Sequence, residues 1–317
     1  MGIQYLLWLQ EIAEGLSSSI ENFFIFICGK HMIAPMFLIP AVIYWIFDKK
    51  TGERILMAVC LGNFLNGFLK IMICCDRPWI RDSRIHPSEK AMADATGYSF
   101  PSGHSTLVVS SAGYGGWLAR KKYWWLTALC WFYCFLILFS RNYLRVHTPQ
   151  DVLGGLLVGI FSAWLAEKLI RLADDYEHGK TICLIAALLL TVVSVMIIQW
   201  KPYPMNYMDG KLLVDPAIMR KDSFLAAGVM GGMFLGWYLE RKYVNFAPPR
   251  SKKEGVMRLL IGFMVLLLAL ALGMLVKKAV PVSFISDTIL GGIICFSGSF
   301  AAPKLFVLYA GRSDPVA

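Results

Sequence analysis

The stretch FSRNYLRVHTPQDVLGG, residues 139–155, places charged and titratable side chains between two apolar runs. The side chains in question are those of Arg141, Arg145, His147 and Asp151. Charged groups are costly inside a hydrocarbon layer and are usually kept there for a function. The stretch therefore marks both the edge of a membrane-spanning helix and a candidate site.

The composition of the whole chain indicates a membrane protein. Its 317 residues are 57% hydrophobic and only 16% charged, with a mean hydropathy of +0.58, whereas soluble domains carry about a quarter charged residues. The net charge of +10 comes mostly from short loops between apolar runs. Lys and Arg in such loops set membrane orientation, so we expect no nucleic-acid partner.

We predict an all-α, polytopic membrane protein with about nine transmembrane helices, because the apolar runs approach the ~20 residues that a spanning helix needs. The predicted spans are 32–47, 55–74, 103–119, 124–140, 152–170, 182–200, 223–240, 258–276 and 286–309. Gly232 and Gly236 have the spacing of closely packed helices. The eight cysteines form no CxxC pair, so neither a zinc site nor a disulfide framework is expected.

The first motif, KIMICCDRP, covers residues 70–78. Lys70 lies within an apolar run, and Arg77 follows two helical turns later, ~10.5 Å along the axis on nearly the same face. Pro78 is predicted to end the helix. A lysine that snorkels to the interface beside an unrelated loop arginine is the alternative explanation.

The second motif, YSFPSGHST, covers residues 98–106. Ser102 and Gly103 are predicted to start a helix, whose free backbone N–H groups and dipole favour an anion. Ser102 adds a hydroxyl donor, and Gly103 lets a ligand approach the backbone closely. His104 would face that ligand from the first turn. An ordinary capped helix with an interfacial histidine is the alternative.

The opening stretch contains the third motif. Thr148 is predicted to cap a helix with Pro149 at its first position, and the charge of Asp151 favours the first turn. His147 lies one turn before Asp151, so the carboxylate can accept a bond from one imidazole nitrogen and leave the other free to attack. A capped helix beside an incidental histidine is the alternative.

Together the three motifs predict a phosphate site. An N-terminus outside the membrane puts more Lys and Arg in the inner loops and places 75–102 and 141–151 on the same outer side. Three cations, two histidines, one carboxylate and two helix N-termini then meet. Because fixed positive groups neutralise phosphoryl oxygens, we expect neither a metal nor another cofactor.

The three motifs, K-x6-RP, PSGH and SR-x5-H-x3-D, resemble those of the type 2 phosphatidic acid phosphatase superfamily, or lipid phosphate phosphatases, whose site the vanadium haloperoxidases share. They read Lys70…Arg77-Pro78, Pro101-Ser102-Gly103-His104, and Ser140-Arg141…His147…Asp151. The likeness implies a six-helix catalytic core over 32–172. Before it, residues 3–14 place Gln4, Glu11 and Glu14 on one helical face, which predicts an interfacial helix within a lead-in over 1–31. The additional helices of 173–317 make the chain similar to sphingosine-1-phosphate phosphatases and glucose-6-phosphatase.

The resemblance also implies a role for each motif residue. His147 would be the nucleophile that forms a phospho-histidine, and Asp151 would orient it. His104 would be the general acid on the leaving group and then the base for water. The phosphoryl oxygens would be held by Lys70, Arg77, Ser102, Gly103 and Arg141.

We therefore predict a phosphoric monoester hydrolase that acts on a lipid phosphate in the bilayer from the extracytoplasmic side. The loop over residues 79–99 is long enough to be a functional lid. Arg81 and Arg84 in this loop, and Arg145, are candidate head-group contacts, and solvated loop charges are the alternative.

Three other reactions would use the same residues: hydrolysis of a polyprenyl diphosphate, hydrolysis of a sugar phosphate, and phosphoryl transfer to a lipid alcohol. A transporter is the alternative from a different class, but the charges cluster on one side and no inverted repeat is visible. The expected location is a bacterial plasma membrane with the site facing outside. An endoplasmic reticulum membrane with a lumenal site has the same topology.

Overall fold

The computed structural model describes residues 2–95, 97–208 and 211–313, which are almost entirely helical. The α-helices are, in chain order, α1 (Gly2–Glu14), α2 (Ser18–Cys28), α3 (Ile33–Val42), α4 (Lys49–Ile73), α5 (Pro78–Arg81), α6 (Glu89–Asp94), α7 (Gly103–Val108), α8 (Tyr114–Ala119), α9 (Trp124–Tyr143), α10 (Pro149–Asp175), α11 (Gly179–Trp200), α12 (Pro216–Leu239), α13 (Lys252–Ala279), α14 (Ser283–Phe296) and α15 (Ala302–Ser313). Short 3-10 or π-helical turns adjoin them at Lys30–Met32, Ile43–Phe47, Val109–Gly113, Glu240–Val244 and Ser297–Ala301. One antiparallel pair of two-residue strands, β1 (Tyr207–Met208) and β2 (Lys211–Leu212), follows α11. The predicted all-α class is confirmed.

Six helices in the described ranges are long and apolar enough to cross a membrane. They are Lys49–Arg81, Trp124–Tyr143, Pro149–Asp175, Gly179–Trp200, Lys252–Ala279 and Ser283–Ala310. A seventh span results if Ser18–Cys28 and Ile33–Phe47, which are bent by 46°, count as one. Each predicted span coincides with a helix, but the predicted count of nine is not confirmed. The helices over 103–119 and 223–240 are not among the six: the former is short and rich in glycine, and the latter contains four glycines and ends at Glu240, so it is less apolar than the six.

Helix α4 lies at the centre of the N-terminal half. The Asp48 side chain begins it by accepting hydrogen bonds from the backbone N–H groups of Lys50 and Thr51 at 3.0 and 3.2 Å. Every residue over 55–62 is buried, as expected of a helix that is apolar all round. Its 25 residues rise about 37 Å, so α4 has one end at each side of the bundle.

Helix α12 has the corresponding central position in the C-terminal half and packs most extensively against α14. A Cβ built on Gly232 would lie 2.3 Å from the carbonyl oxygen of Gly292. Only glycine at this position lets the two backbones approach so closely. The close packing predicted for the Gly232–Gly236 spacing is confirmed.

The two halves are bonded to each other beside the candidate site. The Ser223 hydroxyl on α12 donates to the Gly67 carbonyl of α4 at 3.0 Å, and Lys201 Nζ donates to the Ile71 carbonyl at 3.0 Å. Met219 packs against Gly97, which has a φ of +73° and no room for a side chain. The C-terminal helices therefore support the loop that contains the second motif.

Two helices precede the first predicted span. The predicted helix over residues 3–14 is confirmed as α1, whereas α2 was not predicted. The Ser17 hydroxyl accepts a hydrogen bond from the Ser19 N–H and begins α2. Both helices pack against α9, so the end of α2 at Cys28 comes close to the third motif.

Candidate active site

The first motif is held by the loop that leads to the second. Lys70, in the last turn of α4, donates from Nζ to the carbonyl oxygens of Tyr98 and Ser99 at 2.9 and 3.1 Å. The Ser99 N–H in turn donates to the Cys75 carbonyl at 2.7 Å. The loop is thus fastened to the end of α4, and Lys70 is held by neutral groups.

Arg77 joins the first motif to the third and fixes the tautomer of His147. It is buried and donates from Nε to the Gly97 carbonyl and from Nη1 to the Val146 carbonyl, both at 2.9 Å. Nη1 also lies 3.0 Å from His147 Nε2. A guanidinium only donates, so Nε2 is the acceptor and carries the lone pair. The neutral ring then has its proton on Nδ1.

Asp151 caps its own helix and lies beside His147. The predicted cap is present: the Thr148 N–H donates to Asp151 Oδ2 at 2.7 Å, and Thr148 Oγ1 accepts from the Asp151 N–H at 3.4 Å. Asp151 Oδ2 lies 3.7 Å from His147 Nδ1, which is longer than a hydrogen bond. Instead, the Ser99 hydroxyl lies 2.7 Å from Oδ2 and 3.4 Å from Nδ1. The direct bond expected between carboxylate and imidazole is thus replaced by a hydroxyl in contact with both.

The second motif begins α7 as predicted. Ser102 is the N-cap, and its hydroxyl oxygen accepts the hydroxyl proton of Ser105 at 2.9 Å, which leaves its own proton free to be donated. The Ser102 N–H donates to the Asp151 carbonyl at 2.9 Å. A Cβ on Gly155 would lie 2.5 Å from the Ser102 carbonyl oxygen, so glycine there allows α10 to approach the motif. The Phe100–Pro101 peptide bond is cis.

Arg141 and His104 are the two site residues with unpaired polar atoms. The Arg141 side chain is buried and donates from Nη1 to the Cys28 sulfur at 3.1 Å. Arg141 Nε and His104 Nε2 are both buried, and neither has a hydrogen-bond partner among the described residues. An unpaired buried donor or acceptor costs about 1–3 kcal/mol, so both atoms point to a polar ligand.

The electrostatics of the site are dominated by positive charge. His104 and His147 each lie within electrostatic reach of Lys70, Arg77 and Arg141. Burial, followed by the charge of Arg77, holds the pKa of His147 well below its usual range, although Asp151 opposes this. The imidazole is therefore neutral at physiological pH, and its lone pair on Nε2 accepts from Arg77 in this structure.

The three candidate head-group contacts lie outside this cluster. Arg81 is exposed. Arg84 is exposed and pairs with the half-buried Asp82 at 2.7 Å, which lowers the pKa of that carboxyl to about 2. Arg145 is buried, has a φ of +58°, and donates from Nε to the His86 carbonyl at 2.7 Å. Within the described ranges, no hydrogen bond joins these three side chains to the motif residues. The predicted lid also has structure of its own, since it contains α5 and α6.

Sequence reasoning missed several residues that hold the site together. Asn66 donates from Nδ2 to the Pro101 carbonyl at 3.2 Å, and Asn142 donates to the His147 carbonyl at 2.9 Å. Asn66 could have been predicted, because an amide side chain one turn before Lys70 is unusual in an apolar helix. Ser99 and Cys28 gave no such signal, because their contacts are with residues distant in sequence.

A second group of charges surrounds a cavity of about 430 Å³ at the other end of α4. We call it the basic cavity. It is lined by Lys49, Lys50, Glu53, Arg54, Ile170, Asp174, Lys180, Arg241 and Asn245. Its cations come from three loops that were predicted to lie on the inner side. Its lining residues thus agree with a topology that places those three loops on one side of the membrane.

Comparisons with known proteins match both halves of the chain. A family model described as PAP2 superfamily matches residues 53–173, and another described as PAP2 superfamily phosphatase, transmembrane extension, matches residues 224–312. The first match contains all three motifs. No solved structure matches the chain significantly.

Three curated relatives show how broad this similarity is. An undecaprenyl-diphosphatase of Sulfolobus acidocaldarius is 27% identical over 38% of this chain and 56% of its own length. A phosphatidylglycerophosphatase B of Bacillus subtilis is 27% identical over 50% of this chain and 74% of its own length. Human glucose-6-phosphatase 3 is 27% identical over 54% of this chain and 56% of its own length. The chain thus spans little more than half the length of two of these relatives.

Proposed function

Because this chain belongs to the PAP2 superfamily and carries the transmembrane extension of its phosphatases, we propose that it is an integral membrane phosphatase that hydrolyses a lipid phosphate monoester. One observation carries the proposal: Arg141 Nε and His104 Nε2 are buried with no partner among the described residues, and His104 lies within reach of the same three cations as the neutral His147. A phosphoryl group would accept from the arginine, and its leaving oxygen would meet the histidine.

The phosphoryl oxygens would be held by groups that the chain itself supplies. Lys70, Arg77 and Arg141 provide positive charge, and Ser102 and the Gly103 N–H provide further donors. These cations offer the charge stabilisation that a metal ion supplies in other phosphatases. The proposed reaction therefore needs no metal or other cofactor.

The reaction would proceed in two steps through a phospho-histidine. When the substrate binds, Arg77 would donate to a phosphoryl oxygen in place of His147 Nε2, and the negative charge of the phosphoryl group would let His104 take up a proton from solvent. Nε2 of His147 then attacks phosphorus, an N–P bond forms, and the ester P–O bond breaks as His104 gives that proton to the leaving alkoxide. The His147 ring becomes a cation with its proton still on Nδ1. A water molecule then gives a proton to His104 and attacks phosphorus, the N–P bond breaks, and inorganic phosphate leaves.

The position of the site favours a lipid substrate. Lys70 lies in the last turn of a helix that spans about 37 Å, so the phosphate group would bind near the membrane surface while the acyl chain stays in the bilayer. The three relatives are named for their action on undecaprenyl diphosphate, phosphatidylglycerophosphate and glucose 6-phosphate. These substrates share a phosphoryl group, so the substrate panel must include all three classes.

The proposed site faces the extracytoplasmic side of the membrane. The basic cavity at the other end of α4 collects cations of the kind that mark the inner side. This orientation fits a bacterial plasma membrane with the site outside, or an endoplasmic reticulum membrane with the site in the lumen. In the same proposal, residues 32–172 form the catalytic core and 173–317 the extension.

Phosphate release by the purified protein tests the proposal. The panel contains a lysophosphatidic acid, a polyprenyl diphosphate and glucose 6-phosphate, with and without a chelator and with glycerol as a competing acceptor. We expect the lipid monoester to have the highest kcat/KM, vanadate to inhibit, and the chelator to have no effect. Loss of activity in chelator with recovery in Mg²⁺ would refute the metal-free reaction. Accumulation of glycerol phosphate would identify a phosphotransferase.

A further inference from the structure

We propose that Ser99 is a positioning residue that couples the nucleophile His147 to Asp151 through its hydroxyl group. This inference rests on the phospho-histidine reaction proposed above and deepens it. Ser99 lies within the stretch that contains the second motif, but it is not among the residues to which that motif assigns a role, and its side chain is completely buried.

Every polar group of Ser99 has a partner in the site. Its N–H donates to the Cys75 carbonyl at 2.7 Å, and its carbonyl accepts from Lys70 Nζ at 3.1 Å. Its hydroxyl contacts Asp151 Oδ2 at 2.7 Å and His147 Nδ1 at 3.4 Å. One residue thus connects the phosphate-binding lysine, the nucleophile and the carboxylate.

The directions of these hydrogen bonds follow from donor chemistry. Arg77 can only donate to Nε2 of His147, so the imidazole proton is on Nδ1. An ionised carboxylate only accepts, so the single hydroxyl proton of Ser99 points to Oδ2. The hydroxyl oxygen is then free to accept from Nδ1–H. The chain of donors runs from His147 through Ser99 to Asp151.

The carboxylate is too constrained to replace the hydroxyl. Asp151 Oδ2 is already held at 2.7 Å by the Thr148 N–H in the helix cap. It remains 3.7 Å from Nδ1, beyond the range of a hydrogen bond. A movement of Asp151 towards His147 would break the cap, whereas the Ser99 hydroxyl fills the gap without breaking it.

The coupling matters when the ring gains charge. Formation of the N–P bond turns the His147 ring into a cation whose Nδ1–H strengthens its bond to the Ser99 oxygen. That oxygen is polarised because its own proton is bound to a carboxylate, and linked hydrogen bonds reinforce one another. Ser99 would therefore stabilise the phospho-enzyme and the transition state that leads to it.

The test compares Ser99→Ala with Ser162→Ala. Ser162 is a matched control, since it is equally buried and its hydroxyl bonds only to a carbonyl of its own helix, at 2.6 Å. We expect Ser99→Ala to lower kcat by about 10- to 100-fold, the size of a lost hydrogen bond that orients a functional group, with KM changed less than about threefold. Ser99→Cys, which keeps a weak donor, should lie between Ser99→Ala and the wild type.

The pH profile separates coupling from simple packing. Without the hydroxyl the His147 cation loses its acceptor, so the pKa of His147 falls and the acidic limb of kcat/KM moves to lower pH. Loss of packing alone would lower the thermal stability without moving that limb. Equal kcat and equal pH profiles for Ser99→Ala and Ser162→Ala would overturn the inference.

A separate measurement distinguishes this inference from the reaction on which it rests. If the wild-type protein releases no phosphate from any ester, the proposed function fails. The contact between Ser99 and His147 is then tested by NMR, from the ¹⁵N chemical shifts of the His147 ring. These signals are assigned by their absence from the spectrum of His147→Asn. A shift of Nδ1 in Ser99→Ala but not in Ser162→Ala supports the coupling, and unchanged shifts overturn it.

Discussion

Helix α4 has a cluster of cations at each end, and the two clusters are bonded in different ways. At the candidate active site, Lys70 donates to two backbone carbonyls, and Arg77 donates to two others and to an imidazole. At the basic cavity, carboxylates take the place of carbonyls. Lys49 pairs with Glu240 at 2.7 Å, Arg54 with Glu167 at 3.3 Å, and Arg241 with Glu53 at 2.6 Å and with Asp174.

The difference separates cations that are available to a ligand from cations that hold the fold together. A carbonyl orients a cation without cancelling its charge, so the positive field remains for an incoming anion. A carboxylate cancels the charge and forms a link between helices. Glu53 is buried in α4 and accepts from Trp237 and Arg241 of the C-terminal half, so these bonds join the two halves.

The largest expected effect is at the nucleophile. His147→Asn should lower phosphate release by at least about 1000-fold, as removal of a covalent nucleophile does in other enzymes, because no N–P bond can form. Acid-quenched protein incubated with ³²P-labelled substrate should also carry no label. A variant that is fully active, with an unchanged melting temperature, would show that another group attacks phosphorus.

Arginine-to-lysine changes at the two ends test the comparison directly. Arg141→Lys keeps the charge but removes the planar donors, so kcat/KM should fall by about 100-fold, the cost of one lost oxyanion donor. Arg241→Lys also keeps the charge and should leave kcat/KM within about twofold. The measurement is steady-state phosphate release by both variants. Similar losses in the two variants would remove the distinction between the clusters.

Removal of a carboxylate at the basic cavity should affect stability and not catalysis. Glu53→Ala leaves Arg241 short of a partner and the indole N–H of Trp237 unpaired, which should cost about 3 kcal/mol. The melting temperature in detergent should fall, while kcat of the remaining folded protein stays unchanged. Glu167→Ala, which removes a partly exposed partner of Arg54, is the milder control. A loss of kcat in Glu53→Ala at temperatures well below melting would argue against the separation of roles.

The pH dependence should reflect the lowered pKa of His147. An unfolded imidazole titrates near pH 6.5, and the native one at lower pH. The native nucleophile should therefore stay neutral somewhat below pH 6.5, and the acidic limb of kcat/KM should lie below that value. The substrate phosphate also titrates, near pH 6, so the profile is first corrected for its ionisation. Just below pH 6.5 the His147 side chain binds a proton in the unfolded state but not in the native state. The free energy of unfolding should therefore decrease as the pH falls below 6.5. An NMR titration of the wild type in which the His147 signal, identified by its loss in His147→Asn, titrates above pH 6.5 would contradict this prediction.

The smallest expected effect concerns Cys28. Its sulfur is a weak acceptor of the Arg141 bond, so Cys28→Ala should change KM by less than about threefold, because phosphate oxygens are far better partners for a guanidinium. Titration with vanadate in both proteins measures this. A loss as large as that of Arg141→Lys would show that Cys28 belongs to the binding machinery.

Local sequence signals predicted much of the fold and most of the candidate site. Spans, caps and motif spacing depend on neighbours in sequence, which is why the cap at Thr148 was predictable. The predicted end of the first-motif helix at Pro78 is wrong, because α4 ends at Ile73 and Pro78 begins α5. Ser99 was not predicted because its partners lie about 30 and 50 residues away and only the fold brings them together.

The number of spans was harder to predict for a related reason. Helix α12 packs against α11 and α14 through glycines that allow close contact. Those glycines also make it less apolar than the six long helices, although its run looks continuous in sequence. The fold of α2 back onto α9 likewise depends on contacts that no local pattern encodes.

The bonds between the two halves bear on how such chains diversify. Lys201 and Met219 contact the end of α4 and the loop at Gly97, whose carbonyl orients Arg77. An exchange of the C-terminal helices between relatives would thus change the lipid-facing surface and would also disturb the geometry of Arg77 in the candidate site. A chimaera joined near residue 173 should fold correctly only if its residues at positions 201 and 219 fit the end of α4 and the loop at Gly97. The C-terminal extension would then evolve together with the core and not as an interchangeable module.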